Sequence, residues 1–364
     1  MILHKTKYII MFSSLPYEII YNLYEYLDIE DIKKLFKSFN SEIYSKAILY
    51  NKKYILQTAF YPLEIVNSKL FSTKKFKITH IYWHKDLKLL DDLQNKICVI
   101  FDENFNSQID FNRYSQKIYK IKYGGKFNKP VTNLPKNIKK IKFGSEYNLP
   151  FDEMDSEVTH IKFGFDFNQP VDKLPKKLTH LTFGLWFKQN ININKLPQNL
   201  IYLCLFFWCG KNIDDLPDTI ENLTLEPSDE ITINKLPKNI KILKISECVN
   251  FSFKKSEINL QRLCTSKCGR ELSLFNYKKL IINKNVRVDM SKLSLDLRTI
   301  NFIDYKKSID DLPDYIEKIK LDKCFSRVIN KLPKNLKKIT FDKNYKGMFL
   351  RSKLDFKNIQ VKFI

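Results

Sequence analysis

The chain has 364 residues, of which 44% are hydrophobic and 14% aromatic, and its formal net charge is +23 at pH 7. This composition is typical of a globular protein and excludes a disordered one. The chain contains no run of about 18 apolar residues, so no transmembrane helix is predicted. The positive charge favours acidic partners. However, only seven of the 63 basic residues are arginine, the residue whose planar guanidinium suits phosphate and base recognition. A dedicated nucleic-acid surface is therefore the less favoured interpretation.

Residues 12–50 are predicted to form three short helices. The first carries apolar side chains every four residues and has Pro16 in its first turn, where the missing N–H is tolerated. Asp28 and Asp31 are placed to cap the second helix, and Ser41 opens the third. A repeat array needs a cap over its first coil, and three helices of this size would supply one.

The order of residues in this helical head is also similar to an F-box. That resemblance implies docking on a Skp1-like adaptor of a cullin ubiquitin ligase. The residues that match the family pattern are Leu15, Pro16, Glu18, Ile19, Leu23, Leu27, Ile32 and Leu35. A plain solenoid cap and an F-box both agree with the sequence of the head, and the F-box is the favoured interpretation.

Residues 51–96 are predicted to be a linker with the first irregular coils, one of them around Ile81. From residue 97 to 364 the chain repeats itself with a period of about twenty residues, which is the sequence signature of a solenoid. A Leu-Pro pair recurs seven times at one position of the repeat, and most of these pairs are followed six residues after the proline by an apolar–x–apolar triplet such as Ile141-Lys142-Phe143. Each triplet is predicted to be a short strand with two side chains facing in and one facing out.

The triplets predict a mainly β, parallel β-solenoid of about fourteen coils. With about twenty residues per coil, too little chain remains for a full helix on the convex side, so we expect extended chain there and at most one helical turn after each Leu-Pro. The predicted register is Val99, Ile121, Ile141, Ile161, Leu181, Leu203, Leu223, Leu243, Leu263, about Ile281, Ile300, Ile319, Ile339 and Val361.

Equivalent positions of the repeat are expected to stack into columns. One column is aromatic and one is asparagine, whose amides can bond the backbone of the next coil. They comprise Phe127, Tyr147, Phe167 and Phe187, and Asn106, Asn128, Asn148 and Asn168. The unit from Phe167-Asn168-Gln169-Pro170-Val171 through Leu174-Pro175 resembles the FNIP repeat, a relative in style of the leucine-rich repeat found mainly in amoebae and in the giant viruses that infect them. The resemblance implies a leucine-rich-repeat-like solenoid that binds a target protein.

The sequence contains no group of residues with the identity and spacing typical of an enzyme active site. His80, His160 and His180 share one repeat position, which indicates a structural column and not a general base. The pairs Asp214-Asp215 and Asp310-Asp311 each precede Leu-Pro and are repeat positions as well. The seven cysteines are odd in number and lack zinc-site spacing, which is typical of a reducing, cytoplasmic compartment. We therefore expect a non-catalytic protein without metal or cofactor.

The outward strand position is the candidate partner surface. Lys122, Lys142 and Lys162 occupy it in three successive coils, flanked by Lys120 and Lys140. Lysines at strand spacing repel one another by roughly a few tenths of a kcal/mol per exposed pair, and an acidic or phosphorylated partner would relieve that repulsion. A solvated lysine face is the simpler interpretation of the same pattern. The predicted function is a substrate-recognition adaptor, with a head that binds a Skp1-like protein and a solenoid that binds a target; the alternative is a solenoid that binds nucleic acid or another polyanion.

Overall fold

The structure is a computed structural model, and its description covers residues 80–82, 96–111, 117–150, 157–189, 191–206, 213–227, 229–246, 249–252, 257–266, 270–283, 288–345 and 358–364. The predicted head, residues 12–50, and every F-box residue named in it lie outside these ranges. The chain divides into two compact units. Of the described residues, the first unit holds 80–82, 96–102 and 117–121, and the second holds 103–111 and all residues from 122 onward.

The described residues form seventeen β-strands and three short 3-10 helices, and none of their helices is long and apolar enough to cross a membrane. The strands are β1 (His80–Tyr82), β2 (Ile97–Ile100), β3 (Ile118–Lys122), β4 (Lys140–Lys142), β5 (His160–Lys162), β6 (His180–Thr182), β7 (Tyr202–Phe206), β8 (Asn222–Glu226), β9 (Ile231–Ile233), β10 (Ile242–Ile245), β11 (Val249–Phe251), β12 (Asn259–Thr265), β13 (Asn276–Ile282), β14 (Thr299–Phe302), β15 (Lys318–Leu321), β16 (Lys338–Phe341) and β17 (Gln360–Phe363). The 3-10 helices are Ile193–Lys195, Arg270–Ser273 and Met290–Lys292.

The first unit contains parallel strands in the order β1, β2 and β3. Ile81 lies opposite Val99, so a strand is present where the sequence predicted an early coil. Val99, Ile118 and Ile121 are fully buried. The last residue of β3, Lys122, belongs to the second unit.

The second unit is a parallel β-solenoid. Twelve of its strands pair in the order β4, β5, β6, β7, β8, β10, β12, β13, β14, β15, β16 and β17, and β9 and β11 form a separate two-stranded parallel sheet. Eleven turns join the twelve strands, so the predicted count of about fourteen coils is wrong, because it treated the strands of both units as one array. The register is confirmed from Ile141 to Val361, except that Leu280 and not Ile281 stands opposite Leu263.

Aromatic rings fill the interior of the early coils in two parallel columns. The predicted column is confirmed, with ring centroids 6.1 Å apart between Phe127 and Tyr147 and again between Tyr147 and Phe167. A second column, absent from the sequence analysis, is formed by the inward rings that end each strand triplet. Its members are Tyr123, Phe143, Phe163 and Phe183, with centroids 5.4–5.8 Å apart. Within each coil the two rings stack, as at Phe163 and Phe167, 3.7 Å apart. Stacked rings at this spacing stabilise the array beyond the area they bury.

Hydrogen bonds from backbone N–H groups to asparagine side chains connect neighbouring coils along the asparagine column. The Asn128 side chain accepts from the backbone N–H of Asn148 at 3.1 Å, and the Asn148 side chain accepts from that of Asn168 at 2.9 Å. This ladder confirms the predicted role of the column, because each amide satisfies a backbone donor of the next coil. After each of the seven Leu-Pro pairs, the proline carbonyl accepts from the N–H three residues on at 3.0–3.4 Å, a single turn and not a helix.

Candidate functional site

Three of the predicted lysines form one column on the outer face of the second unit. Lys142 stands opposite Lys162 in the ladder. The N–H of Tyr123 donates to the Lys142 carbonyl at 2.8 Å, just as the N–H of Phe143 donates to that of Lys162, so Lys122 occupies the same position one coil earlier. Lys142 and Lys162 are exposed and Lys122 is half-buried. The predicted geometry of this lysine column is confirmed; its use as a partner surface stays a prediction.

The two flanking lysines differ in their surroundings. Lys140 is half-buried and stands opposite His160, two residues from the lysine column. Lys120 is half-buried within β3 and belongs to the first unit. The lysine column in the second unit therefore consists of Lys122, Lys142 and Lys162.

Other lysines of the solenoid are neutralised by carboxylates. Lys244, which occupies the same strand position further along, pairs with Glu226 at 2.5 Å. Lys139 and Lys177 share the carboxylate of Glu157 from two different coils. These lysines hold the pKa of Glu157 well below its usual range, at about 2. Within the part of the chain that the structure describes, no ion pair joins Lys122 or Lys162 to an acidic residue.

A column of glycines forms a bare backbone floor beside the lysine column. Added Cβ atoms at Gly144, Gly164 and Gly184 would lie 1.7, 1.6 and 1.5 Å from the carbonyl oxygen of the preceding coil's glycine. Real Cβ atoms do not approach a backbone oxygen so closely, so these positions exclude every side chain. Glycine is used where two backbones, or a backbone and a ligand, come close together. The column ends at the fifth coil, where Phe206 takes the glycine position.

The glycine floor, the lysine column and the turn side chains enclose a groove. Its volume is about 370 Å³, and it extends from Glu103 and Gly125 at one end to Phe206 at the other. The side chains of Lys142 and Lys162 line the strand side. The turn side is lined by the residue after each glycine: Ser145, Phe165 and Leu185. The groove thus combines cationic and apolar walls.

Exposed aromatic side chains stand next to this groove. Phe165 is 50% exposed and Trp186 is 58% exposed, although both are large apolar residues. The ammonium of Lys188 lies 5.6 Å from the centre of the Trp186 ring. Large exposed aromatics beside basic side chains are enriched in protein interfaces. The sequence contained a signal for this feature, since a glycine follows four successive triplets and a large apolar residue follows two of those glycines.

Two of the three histidines that share a repeat position, His160 and His180, lie opposite each other in β5 and β6, whereas His80 lies in β1 of the first unit. His160 and His180 stack with ring centroids 4.0 Å apart. The Thr179 hydroxyl donates to the Thr159 carbonyl at 3.0 Å and contacts His180 Nδ1 at 2.9 Å. Because that hydroxyl has a single proton, Nδ1 of His180 must carry the hydrogen of the second contact. Burial, and then the charge of Lys140, lowers the pKa of His180.

The outer strand position is not exposed along its whole length. Cys204 and Cys264 occupy it, yet they are 2% and 8% exposed, and Thr224 is buried as well. Burial raises the pKa of both thiols, that of Cys204 to about 11, so neither is a ready nucleophile at neutral pH. The described residues contain no group of three or more His, Cys, Asp or Glu side chains that could hold a metal ion.

The acidic residues before Leu-Pro extend the ladder between coils. The Asp214 carboxylate accepts from the backbone N–H of Asn234 at 2.8 Å, and Asp310 accepts from that of Asn330 at 2.8 Å. Burial raises the pKa of Asp214, but the hydrogen bonds from Asn234 and Lys235 outweigh it and leave the pKa lowered. These carboxylates therefore hold neighbouring coils together.

The region of the groove is the region that matches a known repeat family. The FNIP Repeat family model matches residues 127–154, 156–185 and 167–206. These ranges include Lys142, Lys162, the glycine floor and the stacked histidines. The resemblance drawn from the sequence is therefore confirmed for this stretch, which consists of FNIP repeats.

Two solved structures of leucine-rich repeat proteins match this chain. CroV588, described as a novel circular LRR protein, matches with a TM-score of 0.48 and 22% identity over 79% of this chain and 50% of its own. The chain thus spans about half the length of that protein. A leucine-rich repeat protein from Bacteroides ovatus matches with a TM-score of 0.18 and 15% identity, over 80% of this chain and 90% of its own. No curated protein matches the chain.

Proposed function

We propose that this chain is a non-catalytic protein-interaction scaffold, whose solenoid binds a target protein at the lysine column. The observation that carries the proposal is the register of Lys122, Lys142 and Lys162 on one face beside exposed aromatic residues, with Lys142 and Lys162 inside the FNIP repeats. Stacked repeats build extended surfaces that suit partner binding.

Rigidity of the early coils supports this function. The aromatic columns and the asparagine ladder fix each strand against the next, so the lysines and the exposed Phe165 are held in place before a partner arrives. A preorganised surface loses less conformational entropy on binding than a flexible one. The same coils supply both the rigid interior and the exposed basic face.

The proposed target test uses charge reversal in the full chain. Lys122→Glu, Lys142→Glu and Lys162→Glu together should abolish retention of the target, identified by mass spectrometry of proteins bound to the unmodified chain. The matched control changes three exposed lysines of later coils: Lys318→Glu, Lys320→Glu and Lys323→Glu. Equal retention by both variants would show that the lysine column is only a solvated face.

The finer proposal concerns the head, residues 12–50. Its similarity to an F-box, in a chain that also carries FNIP repeats, supports a substrate adaptor that docks on a Skp1-like protein of a cullin ubiquitin ligase. Leu15→Ala with Pro16→Ala should weaken co-precipitation with a eukaryotic Skp1, because both residues are expected on the docking face. The lysine-column variant should bind Skp1 normally. If the full chain fails to bind Skp1, the head is a solenoid cap.

The net charge of +23 motivates one alternative, binding of nucleic acid or another polyanion. Phosphate binding by many lysines releases counterions, so affinity would fall by orders of magnitude between low and physiological salt. A titration of labelled single-stranded and duplex DNA with the full chain at two salt concentrations separates the two functions. The scaffold proposal predicts little binding at physiological salt.

A further inference from the structure

We infer that the groove between the lysine column and Phe165 binds an extended acidic peptide segment of the partner, which runs along the solenoid axis and ends in an apolar side chain. This inference rests on the proposed scaffold function and specifies what the scaffold binds. The groove lies in one unit of the chain, and all of its lining residues are described.

The length of the groove sets the length of the peptide. From the coil of Gly125 to the coil of Phe206 there are four strand spacings, about 19 Å at about 4.8 Å each. An extended peptide rises about 3.3 Å per residue, so about six residues fill the groove. The ligand is therefore a short extended segment.

The floor of the groove admits a peptide main chain. Gly144, Gly164 and Gly184 carry no side chains, and their packing forbids any. Gly144 and Gly164 are only half-buried, so a peptide backbone can contact the solenoid backbone in these two successive coils. The lysine side chains and the turn side chains, with Phe165 the most exposed of these, then stand on opposite sides of the peptide.

The walls of the groove are polar at one end and apolar at the other. Lys142 and Lys162 line the first coils, and at the same strand position the next coils carry Thr182 and then the buried Cys204. Leu185 and Phe206 line the far end. Acidic side chains of the ligand are thus expected opposite the two lysines, and an aromatic or aliphatic side chain is expected near Phe206.

Charge distribution favours a peptide over a nucleic acid. A nucleic-acid strand carries a negative charge at every nucleotide, whereas basic side chains line only one end of this groove. Glu103 covers Gly125 at the outer end of the basic region, so the acidic residues of the peptide are expected only opposite Lys142 and Lys162.

The test is an array of blocked synthetic hexapeptides probed with the full chain. The peptides are built from acidic, glycine and apolar residues. In some peptides the acidic and apolar residues are grouped at opposite ends, in others they alternate, and all-acidic and all-apolar peptides are included. We expect peptides with acidic residues at one end and an aromatic or aliphatic residue at the other to bind at least tenfold more tightly than all-acidic ones by fluorescence anisotropy. Equal binding of the all-acidic peptides, or equal competition by a hexathymidylate, would overturn the inference.

Variants place the peptide in the groove. Lys142→Glu with Lys162→Glu, and separately Phe165→Ser, should each weaken the best peptide at least tenfold. The matched controls, Lys318→Glu with Lys320→Glu and the 46% exposed Ile303→Ser, should change affinity less than twofold. Circular dichroism confirms that each variant is folded. A chain that selects no peptide but still loses its partner on charge reversal would refute the groove inference and leave the scaffold function standing.

Discussion

The aromatic columns should provide a measurable part of the stability of the solenoid, and Phe167 is the position that isolates it. This ring is fully buried and stacks on Phe163 at 3.7 Å and on Tyr147 and Phe187 at 6.1 Å. Phe167→Leu keeps most of the apolar volume but removes all three ring pairs. At about 0.5–1.5 kcal/mol per pair, with the pairs partly redundant, the free energy of unfolding should fall by about 1–3 kcal/mol. Phe167→Ala adds a cavity and should lower it by about 3–5 kcal/mol.

Urea unfolding followed by circular dichroism and by intrinsic fluorescence measures both variants. Because long repeat arrays can unfold in more than one step, the midpoints from the two probes are compared before a free energy is assigned. The control is Phe165→Leu, two residues away and 50% exposed, which should change stability by less than about 0.5 kcal/mol. If Phe167→Leu is no more destabilising than Phe165→Leu, the stacked column does not contribute to stability as proposed.

Three further changes test the contacts between coils. Gly164→Ala should abolish folding of the early coils, because its Cβ would lie 1.6 Å from the Gly144 carbonyl oxygen, and normal thermal unfolding of this variant would contradict the close packing. The lowered pKa values of Asp214 and Asp310 mean that their contribution to stability is present above about pH 4 and lost as the pH falls through the folded-state values. In an acid titration, the free energy of unfolding of Asp214→Asn should therefore fall less below pH 4 than that of the unmodified chain. An unchanged pH dependence below pH 4 would refute this. The lowered pKa of His180 means that stability should decrease as the pH falls below about 6.5, and His180→Asn should remove that decrease in thermal unfolding compared at pH 7.5 and 5.5.

The columns could be predicted from the sequence because a fixed period places equivalent residues at the same point of each coil. The strand register, the lysine column and the asparagine ladder follow from that spacing alone. The shift from Ile281 to Leu280 shows where spacing is insufficient, since the short coil between β12 and β13 changes the period. The number of turns also could not be read from the period, because a period does not reveal where one unit ends and another begins.

The groove could not be predicted, because it depends on distances between neighbouring backbones. The glycines after four successive triplets were visible in the sequence, but their packing against the preceding carbonyl required coordinates. Burial on the outer face was missed for a similar reason. Cys204 is at an outward position but is covered because its small side chain sits among longer neighbours such as Tyr202. Spacing gives the direction of a side chain, whereas exposure depends on the sizes of its neighbours.

Site-specific photo-crosslinking tests most directly whether the target protein occupies the lysine column and its groove. A benzophenone amino acid is placed at position 165 of the full chain, with position 303, which is also exposed, as the control. After irradiation in the presence of the partner, adducts are mapped by mass spectrometry. The scaffold proposal predicts adducts from position 165 within a few residues of an acidic segment of the partner, and few from position 303. Equal crosslinking from both positions, or adducts unrelated to acidic segments, would contradict it.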